Sequence, residues 1–268
     1  MVQKDSIKIL PLGGVDEIGK NMTVIEYNNE ILIIDCGVGF PSDDLFGVNV
    51  VIPDFSYIIR NKRKVRGLII THAHEDHIGA IQHLLDYINP NIYCTEFTAG
   101  VIDTKLTEKQ LKICKKTIIK GGQTVKLGQF TVEFIHTNHS IVGSVAVAIK
   151  TEIGTIIHTG DFKIDETSTT TKPIDMERFK ALGDSGVLLL MSDSTNATKE
   201  ENLLNDSIVG ESLDRFISNS SKRIIIATFA SNIYRMQQII NIAEKNKRKV
   251  AISGRSLTTM ISVAKNLG

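Results

Sequence analysis

The sequence predicts an α/β protein in which a layered, strand-rich domain is followed by the beginning of a parallel α/β unit. Three observations predict it. Short Ile- and Val-dense runs alternate with Gly- or Asn-containing turns through the first half, a polar cluster "HAHEDH" lies directly behind an apolar run, and helical and strand patterns alternate beyond residue 205. At 268 residues the chain is near the size at which one hydrophobic core stops growing, so more than one domain is expected. Composition adds little: 42% hydrophobic and 23% charged residues are ordinary for a globular protein.

Taken in order, "SIKILPL", "NMTVIEY" and "EILIIDC" read as strands, the last two forming a hairpin around Asn28 and Asn29. "GFPSDDLFGVNVVIPDF" follows as a polar, proline-punctuated loop, too long for a plain connection. "VRGLIIT" is a near-continuous apolar run, hence a strand buried on both faces, and "IGAIQHLLDYI" then shows helical spacing. The polar cluster therefore falls at a strand-to-helix junction. Between residues 125 and 157 the strand pattern returns in "FTVEFIHT", "SVAVAIKT" and "GTIIHTG", and "VLLLMSDS" is a further buried strand. "TSTTTK" reads as a polar loop. From residue 205 the order is helix (205–218), strand ("RIIIATF"), helix ("NIYRMQQIINIAEK"), strand ("KVAIS") and helix ("SLTTMISVAKNL"). That is βαβ logic, with domains expected over 1–204 and 205–268, the second too short to be whole.

The formal net charge of +1 gives no global attraction to nucleic acid or to an anionic membrane, so a polyanion would need a local groove or metal ions. Cys36, Cys94 and Cys114 are far apart, odd in number and without a CxxC, which fits buried thiols in a reducing compartment. No signal segment or apolar run of membrane-spanning length is present, and a cytoplasmic location without membrane partners is expected.

The chemistry concentrates in "HAHEDH". His72 and His74, two apart in extended chain, project to one side and suit one metal, while Asp76 and His77 fall at the following turn and suit a second. Polar groups packed this densely beside a buried strand would be costly without partners. His139 in "HTNHS" and Asp161 in "HTGDFK" stand at other strand ends, where remote residues gather at one sheet edge. Asp35 in "IIDCG" is either a turn former or a carboxylate that orients ligands from behind. His136 and His158 read as strand or surface residues, His83 as a solvent-side helix residue, and Glu75 as facing water. "GGVDEIGKN" fits GxxxxGK through Gly14, Gly19 and Lys20. Asn21 nevertheless replaces the magnesium-binding hydroxyl residue, and a strand rather than a helix follows, so nucleotide binding is not expected.

HxHxDH, then a strand-end His, then the Asp of "TGD", resembles the metallo-β-lactamase superfamily. "GGVDEIGKN", "VIPDF", "TNHSI", "GDFK", "SDSTNA", "ATFASNIYRMQQI" and "GRSL" extend the resemblance to its β-CASP ribonucleases, the ribonuclease J family, over essentially the whole chain. The resemblance implies an incomplete αββα sandwich followed by the start of an inserted β-CASP domain. It implies two Zn2+ ions, with Mn2+ or Mg2+ as alternatives: His72, His74 and His139 on one, Asp76 and His77 on the other, Asp161 bridging. Asp76 and Asp161 would be catalytic, with Asp35 and Asp193 supporting from behind. The implied reaction is RNA phosphodiester hydrolysis in RNA processing and decay, 5′-to-3′ exonucleolytic and endonucleolytic, by a homo-oligomer or an oligomer with a paralogue.

Ser231, Asn232 and Arg235 are RNA-contact candidates, with helix capping and surface roles as the alternative. Phe40, Phe46 and Phe229 are candidate base platforms, and the basic runs at 61–66 and 245–249 read first as solvated turns. The family's SGH segment and last histidine ligand are expected beyond Gly268, so this stretch alone is expected to be weakly active or inactive. Rival readings are a thioester or lactone hydrolase of the same fold and a non-catalytic assembly subunit.

Overall fold

The computed structural model describes residues 6–165, 172–199 and 206–267. Among them, two twisted sheets lie face to face. The first contains β1 (Lys8–Gly13), β2 (Met22–Tyr27), β3 (Glu30–Ile34), β4 (Val65–Ile69), β5 (Ile92–Cys94) and β6 (Lys116–Ile118), side by side in chain order. β1 to β3 pair antiparallel, and β3 to β6 pair parallel. The second contains β7 (Thr124–Leu127), β8 (Phe130–His136), β9 (Val145–Thr151), β10 (Gly154–His158) and β11 (Leu189–Met191), again neighbours in chain order. Its pairs are antiparallel except β10 with β11.

Strand alternation sorts the side chains into layers. In β3, Leu32 and Ile34 face the second sheet, where they meet Phe130, Val132, Phe134, Val147 and Ile149; Ile31 and Ile33 point the other way. The outward face of the first sheet is covered by short helical segments and by α1 (Glu96–Asp103), through Ile78, Ile81, Leu84, Phe97, Val101 and Ile102. The outward face of the second sheet carries α2 (Met176–Asp184), whose Leu182 packs on Ala146 and Ala148. The small alanines let the helix sit close. The result is the expected αββα layering.

The β2–β3 hairpin turns at Asn28 (φ 46°) and Asn29 (φ 63°), the paired left-handed conformation of a two-residue turn that Asn tolerates. The helix expected after the polar cluster divides into two single turns, Glu75–Ile78 and Ile81–Leu84. The long loop after β3 is tied by a bridge between Gly39 and Val51. The segment from β5 to β6 supplies α1 and a helix at Glu108–Ile113 whose start is closed by a Thr107–Gln110 capping box.

Beyond residue 206 the structure has α3 (Asp206–Ser218), α4 (Ile233–Lys245) and α5 (Arg255–Leu267). α5 packs on α1, where Gly100 leaves room for Val263: a Cβ at Gly100 would meet its Cγ1 at 2.8 Å. The two strands expected here, "RIIIATF" and "KVAIS", are not hydrogen-bonded into a sheet among the described residues. Ile225 is 91% exposed. A central parallel strand depends on a hydrogen-bonded ladder to its neighbours, and among the described residues these runs have none. The expected boundary at 204–205 and most of "TSTTTK" lie outside the described residues.

All three cysteines are free; Cys36 and Cys94 are buried and Cys114 is half-buried. No described helix is long and apolar enough to cross a membrane.

Phe130 is fully buried and meets Tyr27 edge-to-face, ring centroids 6.3 Å apart, in the core between the sheets. Phe130→Ala is expected to cost about 3–5 kcal/mol in chemical denaturation. Glu26 accepts from Tyr57 Oη at 2.5 Å and from Lys64 Nζ at 3.2 Å, which hold its carboxyl below its ordinary range against the opposing effect of burial. A carboxyl depressed in the folded state stabilises fully above its unfolded value, about 4.3, and loses that contribution as pH falls through the folded value. Glu26→Gln should therefore flatten the stability profile below about pH 4.3, measured by urea unfolding at successive pH values.

Candidate metal centre

The site grows from the end of β4. The chain leaves Ile69 extended through Thr71, His72 and His74, then turns at Glu75–Ile78, so alternate side chains come to one side and the turn carries the next two carboxylate and imidazole groups past them. The loop after β3 is braided to that turn. Cys36 N–H donates to His77 O (2.9 Å), Val38 N–H to Glu75 O (3.2 Å) and Ala80 N–H to Cys36 O (2.9 Å). Gly37 is required for this approach, since a Cβ there would lie 1.5 Å from Asp76 O.

Asp35, at φ 60°, is held in the left-handed region and points into the junction. Its carboxylate accepts from Thr71 N–H at 2.8 Å, Thr71 Oγ1 at 2.9 Å and His77 Nδ1 at 2.7 Å. That fixes two tautomers. With Nδ1–H committed to Asp35, His77 offers Nε2 to the site; with its own proton on Asp35, Thr71 Oγ1 accepts from His72 Nδ1 at 3.0 Å, leaving His72 Nε2 bare. His74 Nε2 lies 3.4 Å from Ser140 Oγ, so Nδ1 is its inward atom. His72 Nε2 and His74 Nδ1 are then 3.0 Å apart, and His139 Nε2 is 3.1 Å from the latter.

Ring nitrogens converging at this spacing repel one another unless a proton or a cation lies between them. Asp161 supplies an oxygen to the same group, Oδ2 being 3.8 Å from His72 Nε2 and 3.7 Å from His139 Nε2. Its other oxygen lies 3.3 Å from His77 Nε2, which is 3.6 Å from Asp76 Oδ2. Two groups could thus each hold a metal ion: His72, His74, His139 and Asp161, and Asp76, His77 and Asp161, the atoms of each lying within 4.8 Å of one another. Their mixed imidazole and carboxylate chemistry fits divalent zinc.

Protonation states of the first group agree with that fit. Burial, then neighbouring imidazoles, pushes His72 well down; burial and His77 take His74 to about 4, and burial and His74 take His139 to about 4. All three are neutral near pH 7, as ligands must be. Burial raises Asp161, yet His77 and the other imidazoles outweigh it and bring it to about 2, an ionised carboxylate. Burial raises Asp76. Burial lowers His77, yet Asp35 and Asp161 outweigh it and hold the ring well above its ordinary value, so Nε2 takes a cation only by giving up a proton.

The structure brings together all six side chains that the sequence singled out as ligands. Asp35 stands behind them. Asp193 reaches the rim of the adjoining cleft, but its Oδ1 accepts from Thr195 N–H (2.9 Å) and Thr195 Oγ1 (2.8 Å). Asn232 caps α4, accepting from Arg235 N–H at 3.0 Å, and Ser231 precedes it; all three side chains are half-buried. His136, the last residue of β8, donates to Lys172 O at 3.2 Å.

Sequence reasoning missed Thr71, Ser140, Asn21 and the role of His158. The last lines the cleft, where burial lowers its pKa, and its Nδ1 accepts from Gly160 N–H at 3.1 Å, shaping the turn that presents Asp161. Thr71 could have been suspected as the hydroxyl residue next to the motif; the others carry no local signal.

Comparison with known proteins agrees with this geometry. The family model "Metallo-beta-lactamase superfamily" matches residues 15–201, and "Ribonuclease J, beta-CASP domain" matches residues 221–268. The chain belongs to the metallo-β-lactamase superfamily. Within it, the chain is similar to ribonuclease J of Helicobacter pylori (44% identical over 99% of this chain and 39% of that one) and of a Synechocystis species (43%, over 99% and 42%). Ribonuclease J2 of Bacillus subtilis is 38% identical over 98% of this chain and 48% of its own length. The chain spans 39–48% of the length of these relatives. A solved structure of a protein of unknown function from Enterococcus faecalis shares the fold, with a TM-score of 0.69 at 16% identity, covering 98% of this chain and 68% of that one.

Because Asp35 and Thr71 fix both ring orientations, Asp35→Asn is expected to weaken divalent-metal binding about 10–100-fold, measured by competition with a chromophoric chelator. Gly37→Ala should do the same by displacing Asp76.

Proposed function

We propose that this chain forms the metal-binding part of a zinc-dependent ribonuclease that hydrolyses RNA phosphodiesters. The observation that carries the reading is the sharing of Asp161 between two donor clusters, in a chain similar to ribonuclease J along nearly all of its length. His72, His74 and His139 would hold one ion, Asp76 and His77 the other, and Asp161 would span them. When bound, such a pair lowers the pKa of a water and neutralises charge on a phosphodiester. Asp76, whose carboxyl burial raises, would accept the water's proton, and Asp35 and Thr71 would keep His72 and His77 facing inward.

A cleft of about 630 Å³ opens beside the site, between the 13–19 loop and residues 191–195. Its lining includes Asp76, His77 and Asp161. Exposed Phe40 and Phe46 on the loop after β3, and Phe229, offer flat apolar faces for unstacked bases. The reading extends to 5′-to-3′ exonucleolytic and endonucleolytic cleavage, to cytoplasmic RNA decay, and to oligomers of itself or with a paralogue. It assigns activity to a polypeptide of the relatives' length, with Asp193, Ser231, Asn232 and Arg235 as supporting and RNA-contacting residues. The presence of all six ligand candidates expected within this stretch runs against a purely structural subunit.

In a protein of that length carrying this sequence, His74→Ala and Asp161→Ala should each slow decay of a 5′-monophosphorylated RNA at least a hundredfold, about 3 kcal/mol of barrier, with loss of bound zinc. Unchanged decay in both variants refutes the reading. A thioester substrate cleaved in place of RNA redirects it to another hydrolase of the same fold.

A further inference from the structure

His158 ends β10 on the face that looks toward the first sheet. Ile156 belongs to the core between the sheets and Ile157 to the layer under α2, so strand alternation returns His158 to the inner face, beside Val147 and Met191. There it is half-buried and lines the same cleft as Asp76, His77 and Asp161. Its Nδ1 accepts from Gly160 N–H at 3.1 Å. A ring nitrogen that accepts carries no proton, so the imidazole holds its single proton on Nε2. Among the described residues that Nε2–H has no hydrogen-bond partner.

The surroundings make such a donor valuable. Asp16, Glu17, Asp35, Asp76, Asp161 and Asp193 line the cleft, and no described lysine or arginine does. A phosphodiester entering it is repelled by carboxylates except where cations offset their charge, so its remaining contacts must come from uncharged donors. Several of these are already engaged. Asn21 Nδ2 donates to Asp76 O at 3.1 Å and to Asp76 Oδ2 at 3.3 Å, Ser192 Oγ to Asp193 O at 3.1 Å, and Thr195 Oγ1 to Asp193 Oδ1 at 2.8 Å. His158 Nε2–H is not. A lysine in its place would be drawn into ion pairs with the carboxylates that a metal ion needs, whereas a neutral imidazole donates without competing for them.

We propose that His158 is a substrate-contacting residue whose Nε2–H donates to a non-bridging oxygen of the phosphodiester seated in the cleft. This contact rests on the ribonuclease reading. The two edges of one ring then have separate duties. Nδ1 shapes the turn that presents Asp161, and Nε2 holds the substrate beside the ligand carried by that turn. Substrate and Asp161 are thereby positioned from the same side chain, and a donor to a charged oxygen makes one of the stronger kinds of hydrogen bond.

The test uses a protein of the relatives' length carrying this sequence, substituted with cobalt(II), with inorganic phosphate as the probe and visible d–d absorption as the readout. In His158→Asn the side-chain oxygen can replace Nδ1 as acceptor for Gly160 N–H, but no donor reaches the position of Nε2. The variant should bind cobalt as wild type does and bind phosphate about tenfold to a hundredfold more weakly. Phosphate bound as tightly as by wild type refutes the contact. Should His158→Asn take up cobalt poorly, nitrogen NMR of the imidazoles in the zinc-loaded wild type decides: phosphate is expected to shift the His158 Nε2–H resonance, and an unmoved resonance refutes the contact. A wild type that takes up no cobalt, or whose cobalt spectrum does not respond to phosphate, overturns instead the ribonuclease reading beneath it.

Discussion

The structure around the site depends on one buried carboxylate. Asp35 is 1% exposed, stands in a left-handed backbone conformation, and accepts hydrogen bonds from Thr71 N–H, Thr71 Oγ1 and His77 Nδ1. A charged group so deeply placed is tolerable because all its donors point at it, and a non-glycine residue at φ 60° is tolerable because the surrounding chain over-determines it. The strain has an identifiable product. It joins the end of β3 to the end of β4 and fixes the proton on one nitrogen of His77 and, through Thr71, on one nitrogen of His72.

Everything nearer the cleft inherits that order. His72, His74 and His139 bring ring nitrogens 3.0–3.1 Å apart, a spacing at which facing lone pairs repel unless a proton or a cation lies between them. The cost is met by what surrounds the cluster. The apolar layers of Leu32, Ile34, Phe134 and Val147 on one side and Ile33, Ile70 and Ile78 on the other hold the strand ends, and the braid of Cys36, Val38 and Ala80 backbone bonds holds the turn. Asp161 reaches the cluster from the other sheet. The turn carrying it is shaped by His158, so the site can close only when both sheets are stacked in register.

Much of this was legible in the sequence, and particular residues show why the rest was not. His72, His74, Asp76 and His77 announce themselves because their spacing has no use in a soluble loop, and His139 and Asp161 because each follows a recognisable strand. The β2–β3 turn was legible for the same local reason, two asparagines between two apolar runs. Asn21 was not, since its role exists only once Asp76 and His77, more than fifty positions away, fold against it. Asp193 kept its place near the cleft, but its nearest hydroxyl and N–H, both on Thr195, claimed its carboxylate. The runs at 223–229 and 249–253 have strand composition, yet a ladder is a property of pairs, and composition cannot supply the neighbour.

The stretch "GGVDEIGKN" concentrates this lesson. Its glycines and lysine imitate a phosphate-binding loop, and an argument from spacing rejects that reading because β2 follows where a helix would be needed. The structure gives the glycines another purpose. Gly13 and Gly14 would collide through a Cβ with Lys20 and Asn21, and Gly19 with Val38 O, so the loop folds back on itself tightly enough to lay Asn21 against Asp76. Small residues here serve close approach to a carboxylate and an imidazole. The same absence of side chains that would let a backbone cradle an anion lets this one bring an amide to the edge of a site built for cations.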